Sequence, residues 1–325
     1  MVFGLLAFVV LSVAANIYFA GSSNVWGTDN AEYILFNLRL PKTLTCILCG
    51  MGLSTCGLLL QTFFKNPLAG PSVLGINSGA ALGTAMVILF SEHIYLGYLW
   101  ENVGFNYGVL IISSLTGALL VMAVIYTLSL AVKNQAILVI AGLMVGNIAL
   151  AIVGVLQYYS QPDDLKNYIL WTFGSVAGLS MNQVGIMAII IVPTFLACIA
   201  LSKQLDFMLL DNRTASALGF KSKTMSRRVL LLSSILAAIC TAFCGPIGFV
   251  GIAVPYLSRI LFAKELHLKL LIVNALLGAS LILWADVLCH GIAGFRLPLN
   301  VVMALFGSPI VLLILFRYRR TKSLG

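Results

Sequence analysis

Residues 134–162 read NQAILVIAGLMVGNIALAIVGVLQYYSQP, and none of these side chains carries a charge. An α-helix rises 1.5 Å per residue, so about 20 apolar residues span the roughly 30 Å hydrocarbon core of a bilayer. A transmembrane strand would need only about 10 residues and would alternate apolar with polar side chains. The run therefore predicts a transmembrane helix and argues against a β-barrel.

The composition of the whole chain has the same character. Of its 325 residues, 61% are apolar and 9% are charged, and the mean hydropathy is +1.06. Soluble domains carry charge on about a quarter of their residues, so the soluble globular classes are excluded. At roughly 30 residues for a span and its connection, the length accommodates about ten spans and leaves no room for a separate catalytic domain.

Residues 229–263 are too long for one span and short for two. They lie between the basic segments 204–228 and 259–269, and basic loops collect on the cytoplasmic side of a membrane. An even number of crossings must separate them, so we predict two short spans that meet at residues 245–248. With both termini cytoplasmic, the ten predicted spans are 2–20, 43–63, 73–91, 107–132, 137–157, 183–202, 229–244, 248–263, 270–289 and 299–316.

The distribution of charge supports this topology. It places most of the 19 lysines and arginines on the cytoplasmic side and most acidic residues outside. The net charge of +9 therefore reflects topology and contact with anionic lipid, and it does not indicate nucleic acid. Residues 1–20 resemble a signal peptide in length, but they lack a basic n-region, so we expect a retained first span.

Two outer segments repeat one pattern, Arg-Leu-Pro, at residues 39–41 and 296–298. Proline suits the first turn of a helix, where its missing N–H has no partner to lose. Arg39, Lys42 and Arg296 are three of the four basic residues predicted outside. They either anchor helix starts in the lipid interface or bind carboxylates of an external protein.

Two inner segments also depart from plain spans. Residues 65–80 contain two prolines that end the second span, followed by small residues that permit close helix packing. No Gly-x4-Gly-Lys-Ser/Thr occurs, which excludes a P-loop nucleotide site. Residues 203–228 form the longest cytoplasmic segment, within which residues 210–220 predict a short helix. Such a helix needs a surface to dock on, either the chain's own loops or another protein.

The last unusual features lie at membrane depth. A broken helix at 245–248 is tolerated where it is buried in protein or lines a cavity, so it is a candidate for the transport path. Asp286 lies near the outer end of its span, and we expect a structural role for it. His93, His267 and His290 lack metal-site spacing. The seven cysteines are expected to pack as small apolar residues, with soft-metal binding by two pairs as the open alternative.

Eight short segments of the sequence occur in a characteristic order. They are LRLPK at 38–42, QTFFKNPLA at 61–69, LGINSGA at 74–80, LDNRTASALG at 210–219, GPIGFVG at 245–251, AD at 285–286, PLNV at 298–301 and GSP at 307–309. Together they resemble the FecCD-type permeases of ABC importers for iron-siderophore complexes, haem and cobalamin. The resemblance implies an all-α polytopic membrane protein with the type II importer permease fold, in which ten transmembrane helices are accompanied by short re-entrant or broken helices.

The resemblance also implies partners and site residues. This permease would pair with a second copy of itself, two ATP-binding subunits would dock inside and an extracytoplasmic substrate-binding protein outside. ATP and Mg would belong to the ATPase subunits, with no cofactor, catalytic residue or metal ligand on this chain. The residues implied are Arg39, Lys42 and Arg296 for docking, Asp211, Ala215, Ala217, Leu218 and Gly219 for coupling to the ATPase, Asn134, Gln135 and Ala136 for the inner gate, and Gly245, Pro246 and Gly248 for the path.

Two other classes fit the sequence less well. An ion-coupled secondary transporter needs carboxylates or histidines buried in the membrane, and Asp286 is the one candidate in a predicted span. An intramembrane enzyme needs paired carboxylates or a nucleophile with its base, which the pattern does not provide. Carriers of siderophores, haem and cobalamin share these motifs, so the sequence leaves the choice of chelate open. We expect the protein in the bacterial cytoplasmic membrane.

Overall fold

The computed structural model describes residues 2–19, 30–89, 107–132, 134–210, 222–262, 265–291 and 297–322. Across these ranges the secondary structure is helical, with no strand. A π-helical turn, Leu35–Arg39, joins the helices Ala31–Ile34 and Leu40–Phe64, and a short 3-10 turn, Pro71–Leu74, precedes the helix Ile76–Ile88. The α-helices are α1 Val2–Phe19, α2 Ala31–Ile34, α3 Leu40–Phe64, α4 Ile76–Ile88, α5 Tyr107–Ala131, α6 Gln135–Tyr159, α7 Pro162–Thr172, α8 Met181–Ala200, α9 Ser202–Leu209, α10 Ser222–Cys244, α11 Val250–Leu261, α12 His267–Gly291 and α13 Leu299–Lys322.

The predicted spans coincide with the apolar helices. In the described part of the chain, six helices are long and apolar enough to cross a membrane, and four shorter apolar helices accompany them. Each of the ten predicted spans overlaps one of these ten helices. The all-α membrane class is therefore confirmed, while the positions at which the helices enter and leave the bilayer stay predictions.

Helix α3 lies at the centre of the fold. In the 18-residue apolar stretch of the helical segment Ala31–Phe64, which contains α3, 83% of the residues are buried inside the chain. The corresponding share is 28% in α6 and 28% in α8. It packs against α10, α11 and α12. Some buried hydroxyls on α3 bond within the helix: Thr45 Oγ1 donates to the carbonyl oxygen of Pro41 at 2.8 Å. The core is thus built around α3, and α6 and α8 form the periphery.

Helices α3 and α12 pack as an antiparallel pair with their backbones in contact. A methyl group added at Gly50 would overlap the backbone of Gly278, and one added at Gly278 would overlap the carbonyl oxygen of Gly50. One turn away, Ser54 Oγ donates to the carbonyl oxygen of Asn274 at 2.9 Å. Small residues allow the backbones of membrane helices to approach closely, and this pair uses them at its midpoint.

The start of α3 differs from the prediction. The helical path runs without a break from Ala31 to Phe64, so the chain is already helical before the predicted span begins at residue 43. The π-helical turn ends at Arg39, two residues before Pro41. Proline has no N–H and its ring clashes with the carbonyl four residues earlier, and the wider turn removes the need for that hydrogen bond. Pro41 therefore marks a change of helix type.

Two short helices were not separate elements of the prediction. The first turn of α7 carries Pro162, Asp163 and Asp164, which is a typical helix start, because proline has no N–H to lose there and acidic groups offset the helix dipole. The second, α9, opens the cytoplasmic segment. Helix α10 also begins at Ser222, ahead of the predicted limit at 229, since the basic residues between them end the apolar run without ending the helix.

Candidate docking, path and coupling sites

The carboxyl ends of α1 and α12 and the start of α3, which are predicted to lie on the outer side, meet at one carboxylate. Lys42 Nζ lies 2.9 Å from Asp286 Oδ2, and both side chains are buried. The side-chain amide of Asn16 donates to the same oxygen at 2.9 Å, and its carbonyl oxygen accepts from Thr43 Oγ1 at 2.9 Å. A buried charge is costly unless it is paired and hydrogen-bonded, and here both conditions are met.

Arg39 is buried next to this cluster. Its Nη1 donates to the carbonyl oxygen of Ile17 at 2.6 Å and to that of Tyr18 at 3.4 Å, at the carboxyl end of α1. A cation there offsets the negative end of the helix dipole. Arg39 and Lys42 were predicted as docking groups, and in the structure each of them engages groups of its own chain. Arg296 lies outside the described residues, and docking by all three stays a prediction.

Asp286 contributes to the fold in the way the sequence suggested. Besides Lys42 and Asn16 it has His290 nearby, whose Nδ1 lies 3.6 Å from Asp286 Oδ1 and 2.9 Å from the Asp286 carbonyl oxygen. The carboxylate is therefore engaged by groups from three helices. This arrangement favours a structural role for Asp286 over a role in ion coupling, because an ion-coupling carboxylate must exchange its cation during transport.

The break between α10 and α11 is held by hydrogen bonds to neighbouring segments. The N–H of Gly248 donates to Asn300 Oδ1 at 3.1 Å, and the N–H of Asn300 donates to the carbonyl oxygen of Phe173 at 3.0 Å. The N–H of Ser175 donates to the carbonyl oxygen of Cys244 at 2.8 Å. The loop after α7, the break and the start of α13 thus form one junction, which satisfies backbone groups that a broken helix exposes.

Gly245 is required at this break for two reasons. Its φ of +73° is a conformation that residues with a Cβ adopt at a cost. An added Cβ would also lie 2.8 Å from the carbonyl oxygen of Trp171. Trp171 stacks on Tyr168, and burial raises the pKa of Tyr168 to about 12, so this phenol is neutral at physiological pH. Gly245, Pro246 and Gly248 lie at the break between α10 and α11, and their role in the path stays a prediction.

The predicted inner gate lies at the start of α6. Asn134 is the N-cap of that helix, and its side-chain oxygen accepts from the N–H of Ala136 at 2.9 Å. Gln135 is the first helical residue. Asparagine at this position satisfies a backbone donor that the helix leaves without a partner. The sequence thus places these residues correctly at one helix end, and gating by them stays a prediction.

The predicted coupling helix falls outside the described residues. Asp211, Ala215, Ala217, Leu218 and Gly219 all lie within residues 211–221, for which no placement is described. The flanking chain is described on both sides. Helix α9 and Leu210 precede the segment, and Lys65 Nζ donates to the carbonyl oxygen of Leu210 at 3.1 Å.

One group of polar residues was missed by the sequence interpretation. His267 was treated as isolated, yet its Nδ1 lies 2.6 Å from Asp206 Oδ1 and its Nε2 lies 2.9 Å from Thr62 Oγ1. These residues come from α12, α9 and α3 and are far apart in sequence. No local motif joins them, so sequence reasoning had no signal with which to find the group.

The cysteines lie in the interior of the chain. All seven are buried free thiols, and Cys240 Sγ makes a weak hydrogen bond, 3.8 Å long, to the carbonyl oxygen of Cys49. Among the described residues, no group of three or more histidine, cysteine or acidic side chains could hold a metal ion.

Nearly the whole chain is similar to one known family of transport proteins. The pattern of the FecCD transport family matches residues 1–317, which is nearly the whole chain. The chain belongs to the FecCD transport family. The resemblance inferred from the motifs is thereby confirmed.

Individual relatives of this FecCD protein cover most of its length. The hemin transport system permease protein HmuU of Yersinia pestis is 33% identical over 306 residues, 92% of this chain and 89% of the relative. The molybdate import system permease protein MolB of Haemophilus influenzae is 30% identical over 294 residues, 89% of this chain and 82% of the relative.

A solved structure of an inward-facing metal-chelate type ABC transporter superposes with a TM-score of 0.86. It has 28% sequence identity and covers 97% of this chain and 98% of the other. The FecCD protein is therefore an ABC importer permease of the cytoplasmic membrane with several membrane-spanning helices.

Proposed function

We propose that two copies of this permease enclose a path for a metal chelate, and that separate ATPase subunits drive import through it. The observation that carries the proposal is the exposure of α6. Ile137, Ile140, Met144 and Ile148 follow one another at helical spacing along it, and all four are exposed. This apolar side must face lipid or another protein.

The exposed arc of α6 is wider than one contact requires. Leu143 and Leu150 are also exposed, on a different side from Ile137 and Ile148. A helix that packs on one neighbour needs an apolar stripe of about 100° on that side. A helix at the periphery of a single chain with two exposed sides fits a position between lipid and a second copy. The proposed path therefore runs along α6, from the Asn134 end to the Tyr159 end.

The chemistry of this helix favours a bulky, weakly hydrated cargo. No charged residue occurs in α6 between Gln135 and Tyr159. A small oxyanion such as molybdate loses its hydration in an apolar path and needs fixed cations or donors in compensation. A metal chelate carries its charge inside an organic shell and does not need them. HmuU is named for hemin and MolB for molybdate, and the uncharged α6 supports the first of these two classes for this chain.

The proposed partners follow from the positions of the polar segments. The cytoplasmic segment 203–228 would receive the ATP-binding subunits, with Asp211 to Gly219 as the coupling helix. The binding protein would dock on the opposite side, at Arg296 and neighbouring groups. ATP and Mg would be bound by the ATPase subunits, so this chain would hold no cofactor and would make or break no bond.

Reconstitution tests the proposal. The permease is incorporated into proteoliposomes with its ATPase subunits and binding protein, and uptake of haemin and of molybdate is measured with and without ATP. We expect haemin uptake that requires ATP, and a particle containing two permease chains. Uptake driven by a proton or sodium gradient without ATP would support an ion-coupled carrier, and ATP-dependent uptake of molybdate alone would refute the chelate assignment.

A further inference from the structure

The cytoplasmic ends of α3, α9, α11 and α12 meet in a hydrogen-bonded group that the path and docking sites do not use. Asp206 on α9 accepts from the backbone N–H of His267 at 3.0 Å and lies 2.6 Å from the ring Nδ1 of the same residue. The carboxylate therefore holds both the side chain and the first backbone donor of α12. An anionic group at this position also suits the positive end of the helix dipole.

The other side of the histidine ring reaches α3. Its Nε2 lies 2.9 Å from Thr62 Oγ1, which in turn receives a hydrogen bond from Arg259 Nη2 of α11 at 3.2 Å. Thr62 and His267 are both buried. A single hydroxyl thus connects three helices, and a histidine connects that hydroxyl to α9.

A second link joins the same elements. Lys65, directly after α3, donates from Nζ to the carbonyl oxygen of Leu210, the last described residue before the predicted coupling helix. Gln61, one turn earlier, donates from Nε2 to the carbonyl oxygens of Pro67 at 2.8 Å and Ile252 at 3.2 Å. The segment 61–67, to which the sequence assigned no function, is therefore the point where α3 holds its cytoplasmic neighbours.

The two helices on the other side of this group, α3 and α12, are held together along their length. Helices α3 and α12 are joined near their outer ends by Lys42 and Asp286, at their midpoint by the contact of Gly50 with Gly278, and near their inner ends by Thr62 and His267. A displacement applied to one end is transmitted along such a pair, because close-packed helices do not deform continuously.

We propose that Asp206, His267 and Thr62 are positioning residues that form a joint, through which movement of the cytoplasmic segment 203–228 reaches the α3–α12 pair. This rests on the proposed function, because the movement would be supplied by ATPase subunits bound to that segment. The joint determines how much of the movement caused by ATP binding reaches α3 and α12 within the membrane. It contacts neither ATP nor the transported solute.

The test compares Thr62→Val with Thr62→Ser. Valine has nearly the shape of threonine but cannot hydrogen-bond to His267 or Arg259, whereas serine keeps the hydroxyl. Each variant is assembled with its ATPase subunits in lipid nanodiscs, and amide hydrogen exchange is followed with and without MgATP as the probe. Asp206→Asn is the second variant, because it weakens the same chain of contacts from the α9 side.

In the unmodified complex, MgATP should change exchange in α9, in the last turn of α3 and in the first turn of α12 together. In Thr62→Val and Asp206→Asn the change in α9 should persist, and the change in α3 and α12 should fall to less than half, while Thr62→Ser behaves like the unmodified chain. A folding control is needed for the valine variant. If the valine and serine variants give equal amounts of assembled complex and equal melting temperatures, a smaller response in Thr62→Val reflects a loss of transmitted movement and not a loss of folding.

Two results overturn the joint alone: an α3 and α12 response as large in Thr62→Val as in the unmodified complex, or a response in the unmodified complex that is confined to α9. Absence of any MgATP response anywhere in the chain, with no ATPase subunit bound, overturns the proposed function together with the joint.

Discussion

Lys42 and Asp286 form an ion pair 2.9 Å long between the start of α3 and the carboxyl-terminal part of α12, with both side chains buried. Asn16 of α1 completes the group by donating to the same carboxylate oxygen. Lys42, one of the three basic residues that the sequence offered for docking, is thus paired within the chain. An ammonium group suits this pairing, because it acts as a compact point charge and needs no bidentate geometry.

Removing one member of this pair is expected to destabilise the protein more than removing both. Lys42→Met leaves a buried carboxylate without its cation, which costs about 3–5 kcal/mol, whereas Lys42→Met combined with Asp286→Leu leaves no buried charge. Thermal unfolding of the purified permease in detergent measures both. Lys166→Met, at an exposed lysine of α7, is the control and should melt with the unmodified chain. A double variant as unstable as the sum of both single changes would argue against a coupled pair.

Docking is best tested at Arg296, because charge reversal at Arg39 would also disrupt its hydrogen bonds to α1. Arg296→Glu should weaken binding of the substrate-binding protein by roughly tenfold or more, since like charges would then face each other across the interface. Surface plasmon resonance with the permease in nanodiscs gives the affinity, and Lys166→Glu is the matched outer control. Equal affinities for the unmodified chain and Arg296→Glu would exclude Arg296 from the docking surface.

The contact between Gly50 and Gly278 should tolerate no added methyl group. Gly50→Ala forces the backbones of α3 and α12 apart, and overpacking of this kind costs about 1–3 kcal/mol. Gly154→Ala is the comparison, because no atom lies within 4 Å of a Cβ built at that position. We expect a lower melting temperature for Gly50→Ala and an unchanged or higher one for Gly154→Ala. Equal melting temperatures would mean that the two helices separate without cost.

The cap at Asn134 should stabilise the first turn of α6. Asn134→Ala removes the acceptor for the N–H of Ala136, at a cost of about 1 kcal/mol, while Asn134→Ser keeps a capping oxygen. Faster amide exchange in the first turn of α6 is expected for the alanine variant alone. If the serine variant exchanges as fast as the alanine variant, the contribution of Asn134 lies elsewhere than in the cap.

Much of the fold could be predicted from local features of the sequence. Long uncharged runs produced a helix at each predicted span, and residues 245–248 fall at the break between α10 and α11. Both results depend on short-range rules, namely apolar length, helix-breaking residues and the charge of the loops. The short helix α7 was accessible in the same way, since Pro162 and the two acidic residues after it form a helix start.

The polar pairs could not be predicted, because they are set by how helices pack. Lys42 and Asp286 are separated by more than two hundred residues, and either could have faced a partner protein or lipid headgroups. The same holds for Thr62, Asp206 and His267, which meet because α3 and α12 run antiparallel with α9 folded back against both. A buried charge needs a partner, but the sequence alone does not show which residue provides it.

The uneven burial of the long helices has a consequence for the surrounding lipid. Bilayers thicker or thinner than a protein's apolar belt impose a mismatch that helices relieve by tilting, at a cost of fractions of a kcal/mol per Å. The mismatch acts on α6 and α8, because only 28% of the apolar stretch of each is buried inside the chain. Helix α3 is screened from the lipid by the helices around it. Acyl-chain length is therefore expected to alter the turnover of this permease well before it alters the permease's resistance to unfolding.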